Sequence, residues 1–343
     1  MKAIGLYKHL PIDHRESLID IEVSKPKPSG RDLLVRVKAV SVNPVDTKVR
    51  AHSSKEETEP RILGWDVAGV VDEVGDAVSL FAVGDEVYYA GVITRPGCNA
   101  EYHLVDERSV GHKPRLLSFE QAAAMPLTTI TAWESLFDRL GITPQRSAAS
   151  QAKSVLIIGG AGGVGSIAIQ LAKQVAGMRV IATASREASV KWCRDMGADA
   201  VIDHRKPFRD EFARIGAGEA DYILCCNSTE SHIQNMLDVI KPQGKICIIV
   251  GTKNDQPINI NVFQPKSVAI CWELMFTRPM FNTPDMQTQH DLLNEAGRLF
   301  DAGVLRTTLT EQHGAMNAAN LRKVHARIET GNMIGKAVLR GIE

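Results

Sequence analysis

The 343-residue chain has no net charge, because 40 Lys and Arg balance 40 Asp and Glu. Nothing in that balance suggests the single-sign surface that nucleic-acid or membrane-surface binding uses. No apolar run approaches the ~18 residues of a membrane helix. The opening Met1-Lys2-Ala3-Ile4-Gly5-Leu6 soon meets charged residues, so it lacks a signal-peptide core, and the expectation is a soluble protein of the cytoplasm. Only six cysteines occur, at 98, 193, 225, 226, 247 and 271, without a Cys-x-x-Cys pair. Neither a structural zinc site nor a disulfide framework is written into that spacing. Adjacent Cys225 and Cys226 would face opposite sides of a strand, and most of the thiols read as small buried hydrophobes. Internal repeats and low-complexity segments are also missing.

What is present centres on Ile157-Ile158-Gly159-Gly160-Ala161-Gly162-Gly163-Val164-Gly165-Ser166. A β-branched run turns into a glycine-rich loop and then a helical pattern over Ile167 to Val175. In the frame Gly160-x-Gly162-x-x-Gly165 the first glycine allows the tight turn and the second lets backbone approach a pyrophosphate. The third lets helix and strand pack closely. Gly163 and Val164 complete the loop, and the pyrophosphate is expected on the unpaired N–H groups at the helix start. Strands at 154–158 and 179–183 complete a β-α-β unit. A dinucleotide is the expected ligand.

The end of the second strand decides which one. An NAD site usually carries a carboxylate there for the ribose hydroxyls. This chain reads Thr183-Ala184-Ser185-Arg186, so a guanidinium and a hydroxyl are available for a 2′-phosphate and NADPH is expected over NADH. The alternative is a solvated Arg186 and a helix-capping Ser185.

Two domains suit this length. The first 125 residues carry strand patterns at 33–40, 67–74 and 86–90 between turn formers, with a polar stretch over 50 to 60 read as a mobile surface loop. From about Thr128, helical patterns alternate with short apolar strands at 154–158, 179–183, 200–202, 222–225 and 245–250, which implies a parallel sheet covered on both faces. Ser267–Phe276 reads as its edge strand, able to pair with a second copy. Helices near 285–302 and 315–330 and a strand at 336–339 close the chain.

Ser41-Val-Asn-Pro-Val-Asp-Thr-Lys48, Gly64-Trp-Asp-Val-Ala-Gly-Val-Val-Asp-Glu-Val-Gly75, Val83-Gly-Asp-Glu-Val87, Asn99-Ala-Glu-Tyr102, Leu127-Thr-Thr-Ile-Thr-Ala132, the glycine loop and Gly335-Lys336 stand in this order. Together they resemble the medium-chain dehydrogenase/reductase superfamily, and within it the zinc-independent quinone oxidoreductases and related zinc-type alcohol dehydrogenase-like proteins. The resemblance implies an α/β fold: a GroES-like catalytic domain over 1–125, a Rossmann NADPH-binding doubly wound sheet over 126–280, and a tail over 281–343 that returns to the catalytic domain. The positions that match the relatives' catalytic zinc ligands are Asn43, Trp65 and Leu127, none of them a competent ligand. The relatives' four-cysteine zinc cluster is also missing, with Cys98 alone. No metal is therefore expected. Without a Lewis acid, hydride transfer to a quinone or α,β-unsaturated carbonyl is the implied chemistry.

The resemblance also implies roles for single residues. Asn43 faces nicotinamide and substrate, where its amide can donate to an oxygen gaining charge, unless it is a turn residue before Pro44. Asp46 lies beside the cofactor, or else caps a helix starting at Thr47. Thr131 contacts nicotinamide or ribose, or bonds back to its helix, with Thr129 nearby. His204 reaches the adenosine end, unless it is inert. Asn227, Gly251 and Thr252 follow strand ends where ligands bind in such sheets. Lys336 lies near the cofactor, or is solvated, and Lys48 replaces the aromatic residue frequent in quinone reductases. No general acid stands out. The alternatives left open are a non-catalytic NADPH-binding redox sensor or partner-binding protein and, with less support, a zinc-dependent alcohol dehydrogenase.

Overall fold

The computed structural model describes residues 1–53, 56–252 and 256–342. Two compact units emerge: Met1–Ile130 together with Phe276–Glu343, and Thr131–Met275. Residues 54 and 55 of the polar 50 to 60 stretch lie outside the described residues.

The first unit carries strands β1 (Lys2–Leu6), β2 (Ile19–Glu22), β3 (Asp32–Val42), β4 (Arg61–Ile62), β5 (Val67–Val74), β6 (Glu86–Tyr89), β7 (Tyr102–Asp106) and β8 (Val110–His112). The second carries β9 (Ser154–Ile158), β10 (Arg179–Thr183), β11 (Ala200–Ile202), β12 (Ala220–Cys225), β13 (Ile240–Ile248) and β14 (Ala269–Trp272). The chain then returns to the first unit with β15 (Leu309–Ala315) and β16 (Lys336–Arg340).

In the second unit the strand order is β11-β10-β9-β12-β13-β14, all parallel. This is the doubly wound arrangement, in which the order reverses between β9 and β12 and opens a crevice at the strand C-termini. Burial on both faces explains the uninterrupted apolar runs: Leu156, Ile158, Ile181, Ile223 and Ile246 all sit in one buried core. The helix Phe208–Arg214 went unread in the sequence, being short and mostly charged, yet Phe208 and Phe212 anchor it in that core. The expected edge strand over 267–276 is realised only as Ala269–Trp272.

In the first unit one sheet runs β15-β16-β3-β5-β6-β8, with β7 also on β3, and a second runs β2-β1-β4. The C-terminal strand β16 pairs antiparallel with β3, with Ala337 opposite Val42 and Leu339 opposite Val40. Strand β5 flanks β3 on its other side, with Val67 opposite Val40. The end of β3 and the starts of β5 and β16 thus converge at one rim. Before β16, Gly335 has φ +61, and a Cβ there would lie 2.3 Å from the Thr308 carbonyl oxygen. Only glycine fits that entry to Lys336.

One buried group of this unit bears on stability. His325, on the helix Ala318–Glu329, is fully buried and neither ring nitrogen has a hydrogen-bond partner among the described residues. Burial, and then the neighbouring Arg50 charge, lower its pKa to about 3. Between that value and the ordinary 6.5 the unfolded chain binds a proton that the fold does not, so stability falls as pH drops through this window. His325→Leu is expected to flatten the loss by up to about 1.4 kcal/mol per pH unit, read as the difference between wild-type and variant urea-unfolding profiles from pH 8 to 4. Parallel profiles would refute it.

Candidate active site

The converging strand ends bring four polar side chains into the interior of the first unit. Asn43 follows β3, Asp66 precedes β5, Lys336 opens β16, and Asp46 lies on the helix Pro44–Ala51. Their relative exposures are 1%, 0%, 3% and 1%. The Lys336 ammonium donates to Asp66 Oδ2 at 2.9 Å and to Asn43 Oδ1. Asn43 Nδ2 donates to the same Asp66 oxygen at 3.0 Å, and the Leu127 N–H donates to Oδ1 at 3.0 Å. Asp66 is thus satisfied on both oxygens, as a buried carboxylate must be. Its backbone is held too: the Ser41 N–H donates to the Asp66 carbonyl at 3.0 Å.

Charge and burial oppose each other here. Burial raises the Asp66 pKa, and the Lys336 charge and three hydrogen bonds pull it back. Asp46 accepts the Asn43 N–H at 2.6 Å, yet burial raises its pKa to about 7. It can therefore take up or release a proton near neutrality. The helix starts at Pro44 and not at Thr47, and Asp46, its third residue, does cap it, by accepting the Asn43 N–H. Lys336 is buried, so the solvated alternative is overturned.

Zinc does not fit this set of side chains. A cation, the Lys336 ammonium, already claims oxygens of both Asp66 and Asn43. Trp65 is buried and gives its indole N–H to the Val92 carbonyl at 3.2 Å, with its ring edge-on to Phe276 at 6.2 Å. Leu127 offers no donor atom. Beyond Val92 lies a cavity of about 210 Å³, walled by Gly91, Thr94, Pro279, Met280 and Met286 among others.

In the second unit the glycine loop joins β9 to the helix Gly163–Gln170. A Cβ on Gly165 would fall 2.3 Å from the Gly159 carbonyl oxygen, so this glycine lets the helix close onto the loop. A Cβ on Gly160 would meet Ala182 at 2.8 Å, whereas at Gly162 the nearest atom is 3.5 Å away. Gly162 heads the helix without a side-chain cap. An open cradle over unpaired N–H groups, with Gly163 and Val164 in its first turn, fits a pyrophosphate. The Gly159 N–H donates to Thr183 Oγ1 at 2.9 Å, which ties the loop to the end of β10.

Beyond β10, Arg186 is exposed and heads the helix Glu187–Asp195, its N–H donating to Ser189 Oγ at 3.2 Å. Ser185 is not the cap. Arg205 had no role in the sequence reading, yet its guanidinium donates to the Ser185 carbonyl at 3.1 Å while pairing with Asp203 at 2.6 Å. Its signal was a second arginine three residues after a strand end. His204 is half-buried, its pKa lowered by burial and by the charges of Arg205 and Arg186; it lies edge-on to His232 at 6.5 Å. Asn227 follows β12, with its side chain over Gly159. Gly251 and Thr252 follow β13, with open space at Gly251 and the Thr252 hydroxyl donating to Gln256 O at 2.7 Å. Thr131 is buried on the helix Pro126–Trp133. The Thr129 hydroxyl, two residues earlier, is buried without a partner among the described residues.

Removing one member of a buried ion pair strands the other. Lys336→Met is expected to cost about 3–5 kcal/mol in urea unfolding at pH 7, with Asp66→Asn/Lys336→Met recovering most of it. Equal stability of wild type and single variant would show that the ammonium is not needed there.

Comparison with known proteins agrees with this architecture. Residues 29–115 match the alcohol dehydrogenase GroES-like domain and residues 163–295 the zinc-binding dehydrogenase domain. A zinc-type alcohol dehydrogenase-like protein of Staphylococcus epidermidis is 40% identical over 339 residues, 99% of both chains. A protein of Rhizobium etli CFN 42, provisionally described as a zinc-dependent alcohol dehydrogenase, superposes with a TM-score of 0.95 at 50% identity, covering 100% of this chain and 98% of that one. The 2-methylene-furan-3-one reductase of Solanum lycopersicum is 39% identical over 249 residues, 68% of this chain and 58% of its own. The GroES-like sheet closed by its own C-terminal strand, the six-stranded Rossmann sheet and these full-length relatives place the chain in the medium-chain dehydrogenase/reductase superfamily of oxidoreductases, among its zinc-type alcohol dehydrogenase-like members.

Proposed function

We propose that this chain is an NADPH-dependent, zinc-independent reductase that transfers hydride to a quinone or an α,β-unsaturated carbonyl. The observation that carries this reading is the Lys336 ammonium, buried against Asn43 and Asp66 at the rim where three strand ends meet. Activated acceptors of this class need no Lewis acid, because the product anion is delocalised. The reductase activity named for the tomato relative supports the same substrate class.

The nicotinamide, when bound, supplies the hydride. Gly160, Gly162, Gly163, Val164 and Gly165 receive its pyrophosphate, and Arg186, Ser185 and Arg205 its 2′-phosphate. His204 flanks the adenosine, Asn227, Gly251 and Thr252 border the strand ends, and Thr131 offers a hydroxyl towards the ribose. Lys336 holds the Asn43 amide with Oδ1 inward, so Nδ2 faces Asp66 with one N–H and keeps a second for an oxygen gaining charge. Asp46 is the group that holds a proton near neutral pH. The short edge strand β14, with its last residue Trp272 55% exposed and Leu274 just beyond it 51% exposed, supports pairing with a second copy.

Four measurements test this. NADPH oxidation is expected with quinones and alkenals and not with saturated aldehydes; turnover confined to aldehydes would reject the substrate class. Arg186→Ala and Arg205→Ala are each expected to weaken NADPH binding ~10-fold or more, from the loss of a charge-assisted contact, and to leave NADH binding unchanged; equal losses for both nucleotides would reject the 2′-phosphate assignment. The rate should fall as pH rises through about 7, where Asp46 loses its proton, and Asp46→Asn should remove that inflection. Sedimentation should give a dimer mass.

A further inference from the structure

Four of the six thiols are chemically quiet. Cys98, Cys193, Cys225 and Cys226 have their pKa values raised, with burial the largest cause in each case. Cys225 and Cys226 are consecutive at a strand end and point apart.

Cys247 and Cys271 differ. They are register partners on the parallel strands β13 and β14, so their side chains leave the same face of the sheet. Neighbouring strands lie ~4.8 Å apart, inside the ~4.4–6.8 Å Cα window of a disulfide. The Cys247 thiol donates to the Cys271 sulfur, which favours charge on Cys271; Arg139 and Lys245 add to it, and together they lower the Cys271 pKa. Cys247 keeps its proton, its pKa raised by the same hydrogen bond and by burial. In the fully protonated pair Cys271 donates in turn to the Ile246 carbonyl at 3.4 Å. Two residues along β14's direction, Glu273 accepts from Arg139 Nε at 2.7 Å, which fixes the guanidinium over this face. Burial, together with Glu134, raises the pKa of Glu273 to about 9, so a second full negative charge does not oppose the thiolate. Cys271 is only partly buried, on the outermost strand of the sheet. A low-pKa, accessible thiolate with a second thiol against it is the arrangement that peroxides oxidise selectively.

We propose that Cys247 and Cys271 form a peroxide-reactive dithiol that closes into a reversible disulfide and staples the edge strand β14 to β13. The Cys271 thiolate attacks a hydroperoxide oxygen; the O–O bond breaks, hydroxide or alkoxide leaves, and the sulfur becomes a sulfenic acid. The Cys247 thiol then attacks that sulfur, the S–S bond forms, and the proton of Cys247 leaves with the hydroxyl as water. Two electrons pass from two thiols to one peroxide, and a dithiol reductant returns them.

The test treats the full-length native protein with equimolar hydrogen peroxide, blocks free thiols by alkylation and maps the peptides by mass spectrometry. The expected product links Cys247 to Cys271, removes two of the six free thiols and is reversed by dithiothreitol. Cys247→Ser should stop at a Cys271 sulfenic acid captured by dimedone, and Cys271→Ser should slow thiol loss at least ~10-fold, the rate following the thiolate fraction. Oxidation of another cysteine first, oxidation of Cys271 in the wild type without a link, or no loss of thiols would each overturn the proposal. The wild-type map decides the question even if a variant does not fold.

Discussion

A lysine ammonium removed from water must be neutralised, and the first unit is organised around that requirement. Lys336 is only 3% exposed, and leaving such a charge unpaired costs several kcal/mol. Asp66 and Asn43 meet it, and each then has further needs. Asp66 requires donors for its remaining lone pairs, found in Asn43 Nδ2 and the Leu127 N–H. Asn43 loses the freedom to flip its amide, since Oδ1 and Nδ2 now have opposite partners. One charge thereby sets the orientation of the group expected to meet the substrate oxygen, and it ties together three strands and the segment at Leu127.

The same network explains how a chain can share domains described as zinc-binding and still lack the donors for zinc. Beside Asn43 and Asp66 stands a monovalent cation attached to the backbone, with a fixed place and no exchange. An ammonium is a hydrogen-bond donor and a weak electrophile, sufficient for orienting an amide and for neutralising a carboxylate. It does not lower the pKa of a bound alcohol as zinc does. Reduction of an already activated acceptor is the chemistry that suits it. The second unit is independent of this difference: its glycine loop and the arginines after β10 and β11 are the contacts proposed for the nucleotide.

The Rossmann unit was readable from the sequence because its signals are local. Strands 154–158, 179–183 and 200–202 were read with their observed bounds, each being a short β-branched run cut by turn residues. Helix Phe208–Arg214 escaped because two buried phenylalanines among charges make no sustained period, and β14 is shorter than its apolar pattern because its partner β13 ends at Ile248, whose carbonyl accepts the Glu273 N–H at 3.0 Å. In the first unit Asn43, Asp46 and Lys336 were picked out singly through the family resemblance, but their meeting depends on β16 pairing with β3 across almost the whole chain. No local pattern encodes that register. Asp66, the residue that joins them, was visible only as part of a motif, since an aspartate after a tryptophan carries no sign of being buried. Arg205 was hidden for a related reason: its relevance comes from the neighbouring strand that brings it to Ser185.

The central claim is that the Lys336 ammonium occupies the place of a metal cation in this fold. Elemental analysis of the full-length protein, produced in zinc-supplemented medium and dialysed without chelator, tests it most directly. The account predicts far less than one zinc per chain in a protein that is fully folded. One tightly held zinc per chain, lost on Asp66→Asn, would contradict it.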